Sequence, residues 1–134
     1  MKNIFLVFFA VVYMNALSQE TVKQDPIYDV KGLDIKPEFT GGEANFLTYV
    51  KNKISVPPTA KGKIYVTFIV EKNGELSDIK VLKDVGHGSG EETLRALKES
   101  PTWSPGKQDN AVVRTLLSFA IPINEKDRFK PLKK

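Results

Sequence analysis

The chain of 134 residues has no cysteine. Disulfides, a thiolate nucleophile, zinc held by thiolates and a lipidated N-terminal cysteine are all excluded. Any exported domain in this chain therefore rests on apolar packing alone. There is one histidine, His87, set between Gly86 and Gly88. A single imidazole makes no metal site, and a histidine between two glycines reads as a surface loop residue. The patterns H-E-x-x-H and G-x-S-x-G and a glycine-rich phosphate loop are absent. The carboxylates Asp78, Asp84, Glu91 and Glu92 sit where a solvated surface or a helix start explains them. No catalytic residue, metal ligand or cofactor is expected, and the chain is not expected to be an enzyme. A strong excess of one charge is missing too. There are 20 basic and 16 acidic residues, for a net charge of +4. The basic surplus lies in Lys2 and in the last ten residues, where Lys126, Arg128, Lys130, Lys133 and Lys134 outnumber Glu125 and Asp127. Residues 19–124 are neutral, which argues against nucleic acid as a partner.

The strongest pattern present is a hairpin over 62–83. Ile64, Val66, Phe68 and Val70 alternate with Lys63, Tyr65, Thr67 and Ile69, the period of a strand. Asn73-Gly74 predicts a type I′ turn, and Leu76, Ile79, Val81 and Leu82 bring the chain back. Two strands alone are marginal in water, so further elements must cover them. Ala111 to Ile123 supplies a third strand, with Val113, Thr115, Leu117, Phe119 and Ile121 on one side. Two helices flank the hairpin. Over 43–54, Phe46, Leu47, Val50 and Ile54 share one face, and Pro57-Pro58 ends the run. After the corner at Gly86, Ser89-Gly90-Glu91-Glu92 fits a capping box, and a helix with Leu94 and Leu97 on its apolar face runs to about Ser100, before Pro101. The order α-β-β-α-β predicts an α+β fold: a three-stranded antiparallel sheet with two helices packed on one face. Trp103, held between Pro101 and Pro105, is expected to fold its ring onto that sheet.

The ends are different. Met1-Lys2-Asn3 precedes an apolar stretch from Ile4 to Leu17, and Ala16-Leu17-Ser18 offers small residues for cleavage. This predicts a signal peptide over 1–18, cut before Gln19, and a periplasmic location. Fourteen helical residues span about 21 Å, short of the roughly 30 Å hydrocarbon core, which weighs against an uncleaved inner-membrane anchor. Residues 19–36, mixed and polar, read as a flexible leader. The domain is expected over 37–124 and a basic tail over 125–134.

The third strand carries the functional expectation. If the hairpin takes one side of it, the other side is an open edge. The run Leu116 to Ile121 has no charge to blunt that edge. Either the leader, the tail or a second copy of the chain covers it, or an extended peptide pairs with it by strand addition. Five or six main-chain hydrogen bonds at roughly 1 kcal/mol each set a micromolar scale, about −8 kcal/mol.

These residues resemble a known family. Pro37-Glu38-Phe39-Thr40-Gly41-Gly42, the strand from Gly62 to Val70 with Asn73-Gly74, the corner Pro101-Thr102-Trp103-Ser104-Pro105-Gly106 and the ending Phe119 to Ile123 are similar to the TonB C-terminal domain over about 37–124. The resemblance implies a periplasmic module that binds a short peptide of an outer-membrane receptor, in the setting of transmembrane transport. It places the peptide on the edge of the last strand, at Arg114, Thr115, Leu116, Leu117, Ser118 and Phe119. Gly41, Gly42, Asn73, Gly74, Pro101, Trp103, Pro105 and Gly106 would be structural. There are departures. Val56-Pro57 stands where Tyr-Pro is usual, and Asp109-Asn110-Ala111 where Gly-Lys is common. The leader reaches at most ~60 Å, short for a force-transmitting spacer. A stand-alone, signal-peptide-bearing member is therefore expected. The alternatives are a membrane-anchored truncated energy transducer and a homodimerising structural module.

Overall fold

The structure, a computed structural model, describes residues 24–124. The expected signal peptide, the first leader residues and the basic tail lie outside them. Seven elements follow in order: β1 (Ile27–Asp29), α1 (Glu43–Lys53), β2 (Gly62–Val70), β3 (Leu76–Lys83), α2 (Ser89–Lys98), β4 (Gly106–Gln108) and β5 (Ala111–Ile123). The fold is α+β, with two helices and a five-stranded sheet. No helix among the described residues is long and apolar enough to cross a membrane.

The centre of the sheet follows from alternation. β2 pairs antiparallel with β3 on one side and with β5 on the other. Ile64, Val66 and Phe68 stand opposite Ile121, Phe119 and Leu117, so their side chains share one face. That face meets Phe46 and Val50 of α1 and Leu97 of α2 in a single core. The centre of the core is aromatic. The Trp103 ring lies 5.0 Å from Phe46, 5.4 Å from Phe68 and 5.5 Å from Phe39, with edge contacts that suit the ring quadrupoles. Its indole N–H donates to Ser100 Oγ at 3.1 Å, so a buried donor is satisfied.

The sheet is mixed and five-stranded, not the expected three-stranded antiparallel one. Two short strands also pair with β5, and β1 lies on the side opposite β2. β4 pairs antiparallel with Ala111, Val112 and Val113. β1 pairs parallel with Arg114, Thr115 and Leu116. Both are three residues long, too short to show a period. An extended arm then doubles back over β4, exchanging main-chain hydrogen bonds between Ile35 and Lys107 and between Glu38 and Ser104. Residues 24–36, expected within a flexible leader, are thus part of the sheet and its arm. Their pairing runs through main-chain groups, which composition does not record.

Two local expectations are also corrected. The hairpin turn is not type I′. Gly74 has φ +83°, but Asn73 is not in the left-handed region. The Gly74 N–H donates to Glu71 O at 2.8 Å, and Glu71 N–H donates to Glu75 O. This is a three-residue loop with glycine at the bulge position. The two-residue turn is Asp109-Asn110, with φ +50° and +63°, between β4 and β5. The capping box does not form. Gly88, at φ +76°, takes the cap position, and no side chain caps the helix. Ser89 is buried one residue inside, where its hydroxyl accepts the Val85 N–H. Glu92 reaches Ser55 N–H instead, at 2.6 Å, tying the end of α1 to α2.

Gly74 also meets the Trp103 corner. Its carbonyl accepts the Trp103 N–H at 2.9 Å. A Cβ there would stand 2.0 Å from Trp103 O. Gly86 has a similar φ of +78° but open space around it. Gly86→Ala is expected to cost ~1–2 kcal/mol from backbone strain alone. Gly74→Ala should cost at least ~2 kcal/mol more, because the corner must shift. Urea unfolding of both variants checks this, and equal losses would remove the role given to the close approach.

Candidate functional site: the outer side of β5

β5 has thirteen residues. β4 pairs with 111–113, ahead of the point where β2 begins to pair at Thr115. β1 covers 114–116 on the outer side. From Leu117 to Ile123, no described strand pairs there. The expected open edge at Arg114 to Phe119 is therefore half closed. Arg114, Thr115 and Leu116 are paired with β1, whereas Leu117, Ser118 and Phe119 begin the unpaired stretch. The physical reason is the leader, which lies along the first part of the strand before the arm folds away.

The side chains of the six expected residues divide by face. Thr115 and Leu117 are buried and Phe119 partly so, while Leu116 and Ser118 are exposed. Thr115 Oγ1 has no hydrogen-bond partner among the described residues. Gly106 presses against it: a Cβ at Gly106 would lie 2.5 Å from that oxygen and 2.9 Å from Leu33 Cδ1. Gly106 thus lets the leader pack closely over β4. Gly41 and Gly42, with φ +84° and +92°, turn the chain into α1.

Arg114 is committed to an ion pair. Its Nε–H donates to Glu71 Oε2 at 2.8 Å and its Nη2 to Glu71 Oε1 at 3.0 Å, a bidentate fork. Its Nη1 donates to the Asp25 carbonyl at 3.0 Å. Beside it, Lys72 Nζ reaches Asp25 Oδ2 at 2.7 Å. Ser77 donates to Glu71 Oε1. The Arg114 hydrogen bond holds the Glu71 carboxyl below the usual carboxylate range against the opposing effect of burial, and Ser77 lowers it further. The same bond raises the Arg114 guanidinium. Sequence reasoning placed Arg114 on the edge but missed its partners. Glu71 lies just past the alternating run of β2, and Asp25 lies in the leader.

Next to the unpaired stretch is a groove of about 280 Å³. Val30, Pro37, Phe39 and Trp103 form its apolar walls beside Leu117 and Phe119. Lys36, Glu38 and Glu43 also line it. The opposite edge of the sheet is protected. β3 skips one residue between Thr67 and Ile69 of its partner strand, with Asp78 at φ +45°. It skips another at Leu82. These bulges, with Lys80 and Lys83, blunt it as a pairing surface. His87 is exposed on its loop. Among the described residues no group of His, Asp and Glu has metal-binding geometry.

No family model, no curated protein and no solved structure matches this chain.

The depressed Glu71 carboxyl has a defined pH consequence. Its folded pKa lies below its unfolded one, so its stabilisation is present above the ordinary glutamate range. It is lost as pH falls through the lower, folded value. Arg114→Met should move the Glu71 side-chain carboxyl titration upward in NMR and flatten this part of the acid dependence of unfolding. A Glu71 midpoint unchanged by the substitution would contradict the assigned cause.

Proposed function

We propose that this chain is an exported, TonB C-terminal-like binding module that takes up an extended peptide of an outer-membrane receptor by strand addition to β5, without catalysis. The observation that carries the reading is the uncharged outer side of Leu117 to Ile123, unpaired among the described residues and flanked by an apolar groove. An edge of that kind is an aggregation liability unless something uses it. The lysines and bulges of β3 favour β5 over the other edge. Main-chain pairing would supply affinity, and the groove beside Phe119 would receive one apolar side chain and so select among sequences. Export to the periplasm and a role in transmembrane transport follow from the N-terminal pattern and the family resemblance. The resemblance also extends to Trp103 and Gly74, which hold the corner that walls the groove.

The test is titration of the chain with synthetic decapeptides copying N-terminal segments of outer-membrane receptors, followed by calorimetry and amide NMR. At least one should bind with a Kd of about micromolar order and shift the amides of Leu117 to Ile123. Methylating alternate peptide nitrogens should abolish binding, because the methyl groups remove ladder donors. Shifts mapping to Leu76–Lys83 instead, or full binding by the methylated peptides, would sink the reading.

A further inference from the structure

β1 occupies the same side of β5 that the proposed peptide would extend along, and it is weakly held. Its three residues are all exposed; Ile27 is 48% and Tyr28 36% accessible. Neither belongs to the core cluster. Little apolar area therefore holds β1 in place. Its N-terminal anchor is polar: Asp25 lies between Lys72 and Arg114, and the Lys72 pair is 44% and 58% exposed at its two ends. Exposed pairs of this kind contribute little. At its other end β1 stops in a turn, where Asp29 Oδ1 accepts the Lys31 N–H at 2.8 Å. The arm beyond is held separately, by the exchanges at Ile35–Lys107 and Glu38–Ser104. β1 can therefore leave β5 without unzipping the arm.

We infer that β1 is a removable resident of the β5 edge, and that the extended segment which replaces it carries a carboxylate at the position of Asp25. This rests on the strand-addition reading and specifies the partner. Removing β1 frees the outward main-chain groups of Arg114 and Leu116 and joins them to the stretch from Leu117 to Ile123, giving one continuous edge. It also leaves Lys72 without Asp25 and frees Nη1 of Arg114, while Glu71 still neutralises the rest of the guanidinium. One uncompensated positive charge then faces the N-terminal end of the incoming strand. Any residue two positions before the first pairing residue can offer its carbonyl to Arg114, but only aspartate or glutamate there restores the Lys72 contact.

The experiment uses the full chain and a variant, Ile27→Pro/Tyr28→Pro, in which β1 cannot pair. The probe is a synthetic octapeptide with the sequence of residues 24–31, added in trans, together with a version carrying Asn at the position of Asp25. Amide NMR gives site and affinity. In the unaltered chain the tethered β1 competes at an effective concentration of about millimolar. The opened variant should therefore bind the peptide at least tenfold tighter, with shifts at Arg114 to Leu116. The Asn version should bind about fivefold weaker, and Lys72→Gln should shrink that difference. In the unaltered chain, hydrogen exchange at Arg114 and Leu116, whose amides face β1, should be at least a hundredfold faster than at Val66 and Phe68. That measurement stands even if the variant fails to fold. Exchange as slow as in β2 overturns the inference. Equal peptide binding by both chains, with shifts confined to Leu117–Ile123, also overturns it but leaves strand addition intact. Equal affinity for the Asp and Asn peptides removes the carboxylate requirement. Failure of the opened variant to bind both this peptide and the receptor decapeptides removes the inference and the strand-addition reading together.

Discussion

Main-chain polar groups away from water must find partners, and on the outer side of β5 they find them unevenly. The inner side of the strand is matched to β2 from Thr115 to Ile123. β4 pairs with the start of the strand, tied to it by the Asp109-Asn110 turn. The outer side is divided: β1 takes 114–116. The last part has only the groove beside it. Most other features of the molecule serve this division. The arm over β4 requires Gly106, because any side chain there would meet Thr115 and Leu33. The groove requires Trp103, which is fixed on one side by the rings and on the other by the Gly74 carbonyl.

The charges on this side are arranged by distance along the strand. Arg114 and Glu71 form the only described bidentate pair, and both are largely screened from water. Arg114 also reaches the leader, so one guanidinium links the end of β2, the start of β5 and Asp25. Beyond it the strand is uncharged to its end. In the proposed reading, an approaching segment would meet a polar, ionic beginning and an apolar continuation, and such a gradient would favour one orientation of the segment.

The sequence made the regular parts legible. The alternation of β2 and β5 gave their faces: Ile64, Val66, Phe68, Val70, Leu117 and Ile121 enter the core cluster and Phe119 packs against it, while Ile69, on the other face of β2, is buried as well. Both helices lie where the apolar spacing put them, with Phe46 and Val50 of α1 and Leu97 and Ala96 of α2 buried, but Leu94, expected on the apolar face of α2, is only half-buried and Thr93 is buried beside it. What failed to show was everything shorter than a period. β1 and β4 have three residues each, and their pairing lies in the main chain. The turn at Asn73-Gly74 was read from dipeptide preference alone. It is set instead by the need for the Gly74 carbonyl to meet Trp103, a contact 29 positions away in the chain. The spacing of Ser89 to Glu92 suits a capping box. Burial turned Ser89 to Val85, and a free amide at Ser55 drew Glu92 away.

The same distinction bears on the candidate site. An edge strand can be recognised from composition, because its sequence lacks charge where charge would protect it. What lies beside that edge cannot be recognised this way, because a three-residue strand such as Ile27–Asp29 satisfies hydrogen bonds without leaving a pattern. Of the expected edge at Arg114–Phe119, residues 114–116 are paired with β1 and 117–119 have no described strand on that side. In the proposed competition, β1 and an incoming segment would offer similar main-chain pairing, so discrimination would fall to side chains at the end of the strand. There Lys72 is the contact that depends on a carboxylate, because Arg114 meets the leader only through the Asp25 carbonyl, which any residue offers.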